Sequence, residues 1–307
     1  MIFDINKKES KNQKRGLKPR FFYHKKKGKK MSQIHNQGNN TQGFWSGLLS
    51  KKCGKPIPKT PFFIRPLTKE NAKEMAHLSQ EIYQHLKEDE QCFIHKHSQE
   101  YYHQIFKNTD VSFIGVFANN RLIAMSYLKI CQDKKTFESE IPGFQEQSFA
   151  MGETVGTLGG DCVHPDYRGN KINQMMIEYR MAMAKEKNCQ SVYSIIDRHN
   201  HWNMPPYFNN RFQMLSCGID PSDGGEIAVM RYAPSQPVRI GKEINIPTTH
   251  FETIDTLLEN NFVGCEYNAK TKTITFKRPA LPVTVKTAQH IKQIKRIRNR
   301  IKERQYV

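Results

Sequence analysis

The chain has 307 residues, 37% of them hydrophobic, and a formal net charge of +19, which suits one large domain with appendages. No apolar run approaches the roughly 20 residues of a membrane span, and no apolar stretch follows the N-terminal lysines, so neither a span nor a secretory signal is expected. The cysteines at 53, 92, 131, 162, 189, 217 and 265 are scattered and never in Cys-x-x-Cys spacing, which argues against a zinc ribbon or disulfide frame and for reduced thiols in a cytoplasmic setting.

The charge is uneven. Residues 1–60 hold 16 Lys and Arg against Asp4 and Glu9, and 286–307 hold eight against Glu303, leaving the middle near neutral. The first 60 residues offer too little apolar surface to offset their ordering entropy, so a disordered basic tail is expected there. Met31, after the run Lys25–Lys30, is a candidate alternative start, and Phe44–Leu49 is an apolar patch suited to dock on the domain or on a partner.

Phe62–Leu67 reads as the opening strand. Thr68 is a candidate N-cap with Glu70 in the first turn, and Met75, Leu78, Ile82 and Leu86 mark one helix face. A second helix is expected over Gln99–Phe106. Val111–Phe117 and Leu122–Ile130 are β-rich and joined at Asn119-Asn120, a pair suited to positive φ. Val155–Val163 is the next strand. After it Pro165 and Gly169 punctuate a turn, and Ile172, Met175, Met176, Tyr179, Ala182 and Met183 recur at helical spacing. Ser191–Asp197 is a short buried strand. Pro205-Pro206 should shorten the helix that follows, since neither residue donates a ladder hydrogen bond. Met214–Cys217 and Ile227–Tyr232 read as a strand pair around Asp223-Gly224-Gly225. The expected domain spans 61–234. Beyond it come an extension over 248–279, with a helix at Phe251–Leu258 and a hairpin from Phe262–Tyr267 and Thr273–Lys277, and a basic helix over 286–304 striped by Ile291, Ile294, Ile297 and Ile301.

A strand–turn–helix with Arg and Gly in its turn gathers free backbone N–H groups at the positive end of a helix dipole, which makes an anion site. This segment resembles the acyl-CoA-binding motif of the GNAT superfamily of N-acyltransferases, where a Val-x-Pro strand end leads into Arg/Gln-x-x-Gly-x-Gly/Ala. The resemblance implies donor binding by Val163, Arg168, Gly169, Asn170, Lys171, Ile172 and Asn173, with Lys171 and Asn173 in place of two small residues. Downstream, Asn200, Tyr207 and Phe212 match the family's Asn-x-x-Ala-x-x-x-Tyr and following Phe, with Asn203 for Ala and Arg211 for Gly. Asn200 is thereby implied at the donor too. The resemblance covers about residues 60–234. It implies an α/β (α+β) GNAT fold, with a mixed, mostly antiparallel central sheet, splayed parallel strands and flanking helices, extended here by the C-terminal helix and hairpin.

The implied reaction moves an acetyl group from acetyl-CoA to an amine by direct attack through a tetrahedral intermediate. The resemblance gives Val163 the backbone N–H for the oxyanion and Tyr207 the role of acid toward the departing sulfur. Asp161 or Glu153 is the candidate base. Against these stand a core role for Tyr207, a partly solvated strand end for Asp161 and a loop at Glu153. His95 with His97, and His199 with His201, lack a third ligand, so no metal is expected. The acceptor's identity stays open. The basic ends suit nucleic acid or an anionic surface, and the Ile stripe suits packing on the domain or in a homodimer. The alternative function is a catalytically inactive GNAT-fold binding module tethered to nucleic acid or another partner by its basic ends.

Overall fold

The computed structural model describes residues 45–279 except 95, 142–143, 145–153, 221–223 and 234–238. Glu153, His95, most of the basic tail and the helix expected at 286–304 lie outside the described residues.

Strands β1 (Trp45–Lys52) and β2 (Lys55–Pro66) form a hairpin around Cys53 and Gly54, both with left-handed φ. The tail expected over 1–60 therefore does not extend through residues 45–60. Composition there is polar, but Leu49 is fully buried in the same core cluster as Tyr167 and Met176, and that cluster ties the hairpin to the domain. Helix α1 (Ala72–His85) starts after a short 3-10 turn over Lys69–Asn71, which Thr68 precedes. Ser98 Oγ accepts from Tyr101 N at 3.3 Å and caps α2 (Gln99–Ile105). The hairpin of β3 (Val111–Ala118) and β4 (Arg121–Cys131) turns at Asn119 and Asn120, with φ of 49° and 61°. Helix α3 (Lys134–Glu140), not foreseen from sequence, is capped by Asp133, which accepts from Thr136 N at 2.8 Å.

Then follow β5 (Val155–Val163), α4 (Ile172–Glu186), β6 (Ser191–Asp197), α5 (Met204–Asn209), β7 (Gln213–Ile219) and β8 (Glu226–Tyr232). The chain continues through β9 (Arg239–Pro247), α6 (Phe251–Glu259), β10 (Val263–Asn268) and β11 (Thr273–Pro279), of which β9 was not expected. One sheet joins all the strands in the order β1-β2-β3-β4-β5-β6-β8-β7-β10-β11-β9. Every described pairing is antiparallel except the central β5–β6 pair. This is the mixed sheet that the resemblance implies. The buried face of α4 carries Ile172, Met176, Ile177, Arg180 and Ala184, and the Arg in that stripe belongs to the site.

Candidate active site

Strands β5 and β6 pair only from Val155–Ser191 to Leu158–Ser194, then diverge toward Val163 and Asp197. The divergence begins at a bulge. The β4–β5 register shifts between Met125 and Tyr127, and Gly160 takes φ 65°. The Tyr127 ring lies against this turn so closely that a Cβ on Gly159 would sit 2.4 Å from it. Between the strands opens a cavity of about 290 Å³, lined among others by Asp161, Ser194, Asn200, Asn203, Tyr207 and Tyr127.

A buried polar chain crosses the cavity wall. Ser194 Oγ donates to Tyr207 Oη at 2.8 Å, and Tyr207 Oη donates to Asp161 Oδ2 at 2.7 Å. Asp161 Oδ1 pairs with Arg180 Nη2 at 2.5 Å, with side chains 6% and 0% exposed. Arg180 also donates through Nη1 to the Tyr127 and Gly159 carbonyls at 3.0 and 3.3 Å, and through Nε to the Met176 carbonyl at 3.2 Å. One guanidinium thus neutralises Asp161 and fastens α4 to both strands of the bulge. Burial pushes the Tyr207 phenol well above its ordinary value, and the Asp161 charge pushes the same way, so it stays protonated. Burial, followed by Asp161, pushes the Cys162 thiol up to about 12, which leaves it without nucleophilic character. On the α3 side, Tyr127 Oη donates to Glu140 Oε2 at 3.3 Å, and Lys129 Nζ pairs with Glu140 Oε1 at 2.7 Å.

The end of β5 leads to the 164–171 loop. His164 N donates to the Ile123 carbonyl at 2.9 Å, so by ladder alternation the N–H and C=O of Val163 face away from β4, toward the gap. Arg168 Nε lies 3.4 Å from the Val163 carbonyl, and burial lowers its pKa. Gly169 and Lys171 take left-handed φ of 80° and 60° around Asn170, and no side chain caps α4 at Lys171. The first-turn N–H groups of Ile172 and Asn173 have no intrahelical acceptor at their positions, while the Ile172 side chain is buried in the core. The Asn170 side chain serves the scaffold. It accepts from Ser50 N and Lys51 N at 2.8 and 3.1 Å and donates to the Lys51 and Tyr167 carbonyls at 2.9 and 2.8 Å. Asn173 Nδ2 donates to Asn203 Oδ1, the N-cap residue of α5. The two asparagines that depart from the family pattern thus bond each other.

The structure therefore brings Asp161 and Tyr207 together, sets Asn200 in the same cavity, and gathers 168–173 at the α4 N-terminus. Sequence reading missed Arg180 and Ser194. Arg180 was detectable as a charge on the i, i+4 stripe of Ile172, Met176 and Ala184. Ser194 carried no such signal, because a serine in a short apolar strand is unremarkable.

Residues 79–207 match the Acetyltransferase (GNAT) family. Similar solved structures include Arabidopsis thaliana NAA60 in complex with acetyl-CoA, at 14% identity over 56% of this chain and 98% of that one, with a TM-score of 0.44. PaiA N-acetyltransferase from Thermoplasma acidophilum, in complex with coenzyme A, is 19% identical over 56% of this chain and 98% of its own, with a TM-score of 0.39. A GNAT-family acetyltransferase from Streptococcus pneumoniae is 11% identical over 56% and 99%, with a TM-score of 0.43. No curated protein matches the chain.

Proposed function

We propose that this chain, which carries a GNAT acetyltransferase domain over residues 79–207, transfers the acetyl group of acetyl-CoA to the nitrogen of an amine acceptor. The carrying observation is the β5–β6 divergence, which leaves unpaired backbone on both strands beside an uncapped helix N-terminus. Those features fit the donor. The 168–173 loop offers N–H groups, Arg168 and Lys171 to phosphates, and the open strand edges suit a ligand with amide groups of its own. Bound there, acetyl-CoA supplies the thioester carbon. The amine nitrogen forms the new C–N bond, the C–S bond breaks, the sulfur takes a proton from Tyr207 and the ammonium gives one up to water.

In this reading Val163 offers its backbone N–H to the developing oxyanion. Tyr207 holds the proton for the leaving sulfur, and Ser194, already donating to the phenolic oxygen, stabilises the phenolate left behind. Asp161 has both oxygens engaged, one by the Arg180 charge, so we assign it to orienting Tyr207 rather than to removing the amine proton. Asn200 lines the donor's path.

The test is release of free thiol from acetyl-CoA with a panel of primary amines. Tyr207→Phe should lower kcat roughly a hundredfold, the range of a positioned acid, while leaving the KM for acetyl-CoA in place. A loss confined to donor KM removes the acid role. Because the Tyr207 pKa is raised, kcat should not fall between about pH 8 and 10, below an ordinary phenol's value. A descending limb in that window would contradict the assignment.

A further inference from the structure

We propose that residues 239–279 are a degenerate copy of the 191–232 unit, built onto the β7 edge in the place a second copy of this chain would take. Both segments run strand, helix, strand, strand, and both order their strands alike, as β6-β8-β7 and β9-β11-β10. The helix ends match at an offset of 50 residues. Phe212 N donates to the Tyr207 carbonyl and Phe262 N to the Leu257 carbonyl, after Arg211 and Asn261 with φ of 65° and 60°. Both hairpins bulge at the same place. The register shifts between Met214 and Ser216 in one and between Gly264 and Glu266 in the other.

The two units meet antiparallel at β7–β10, where Met214 lies opposite Gly264, its own equivalent. An antiparallel junction of equivalent residues, within a strand order that reads the same from either side, is the signature of a two-fold pairing. Here one chain supplies both halves. The packing is reciprocal, with the Phe208 ring stacked on Tyr267 of β10 and Leu257 and Leu258 of α6 in the same core as Met214.

The copy has lost the site's chemistry. At the same offset, Ile244 stands for Ser194, Leu257 for Tyr207 and His250 for Asn200. No counterpart of β5, Asp161 or the 164–171 loop accompanies it among the described residues. Its remaining task is to cover the β7 edge, which would otherwise present unpaired backbone to another chain, and to close the core behind the helix that bears Tyr207. The β7 edge is thereby covered within one chain.

The test is a Met214→Cys/Gly264→Cys variant of the full chain, with the seven native cysteines changed to Ser or Ala and mass measured by sedimentation. Oxidation should give a cross-link within one chain, at monomer mass under denaturing conditions. A cross-link between two chains would overturn the proposal, since β7 would then pair with a second copy. If the double variant does not fold, hydrogen exchange on the wild-type chain decides. Protection of the β7 and β10 amides that is unchanged on hundredfold dilution supports the proposal. Protection lost on dilution, together with dissociation, overturns it. A dimer whose β7 protection does not depend on dilution pairs elsewhere and agrees with it.

Discussion

Arg180 is fully buried, and its charge is balanced by Asp161. Removing one member of such a pair leaves the other charged in low dielectric. Arg180→Met should therefore destabilise the fold by about 3–5 kcal/mol, measured by urea unfolding. Arg180→Met combined with Asp161→Leu should recover most of that stability but not activity, because Tyr207 then loses its acceptor. Recovery of activity in the double variant would show that Asp161 orients nothing. His164 is 3% exposed, and its Nδ1 accepts from Asp166 N at 3.2 Å. Burial lowers its pKa below 6.5, so the folded state favours the neutral ring. Below about pH 6.5 the unfolded chain binds a proton that the folded chain resists, and stability falls as pH drops toward the lower folded value. The urea midpoint should decline from about pH 7.5 to 5.5 in wild type, and His164→Gln should flatten that decline.

At the scale of elements, the β5–loop–α4 corner was legible because Pro165, Gly169 and the helical spacing after Ile172 all agree. Even there the details needed the fold. Lys171 occupies a left-handed position that glycine would fill at lower cost, and Asn173 reaches a residue 30 positions away. Single Asn173→Ala and Asn203→Ala changes should each weaken stability, and their double-mutant cycle should show a coupling of about 0.5–1.5 kcal/mol by urea unfolding. Additive effects would mean that the bond contributes nothing. Elements with weak local signals escaped. Helix α3 is charged on most positions and anchors itself through one buried residue, Phe137. Strand β1 hides its alternation among lysines and glycine, with Leu49 as its one fully buried residue. In both, tertiary contact outweighs composition.

Across the whole molecule, charge and site separate. The +19 net charge resides in the terminal segments, while 61–285 is close to neutral, so the site's electrostatics are local. Among the described residues no helix is long and apolar enough to cross a membrane. The sheet's continuation past β7 was half legible, since the helix and hairpin at 251–279 follow from pattern, whereas their equivalence to 204–232 required the strand order. The most direct test of the account is calorimetric titration of the full chain with acetyl-CoA, beside an Arg168→Glu variant. We predict saturable binding at one site per chain in wild type and its loss in the variant. No binding to the wild-type chain would contradict a donor site at the α4 N-terminus, and equal binding by the variant would place the donor elsewhere.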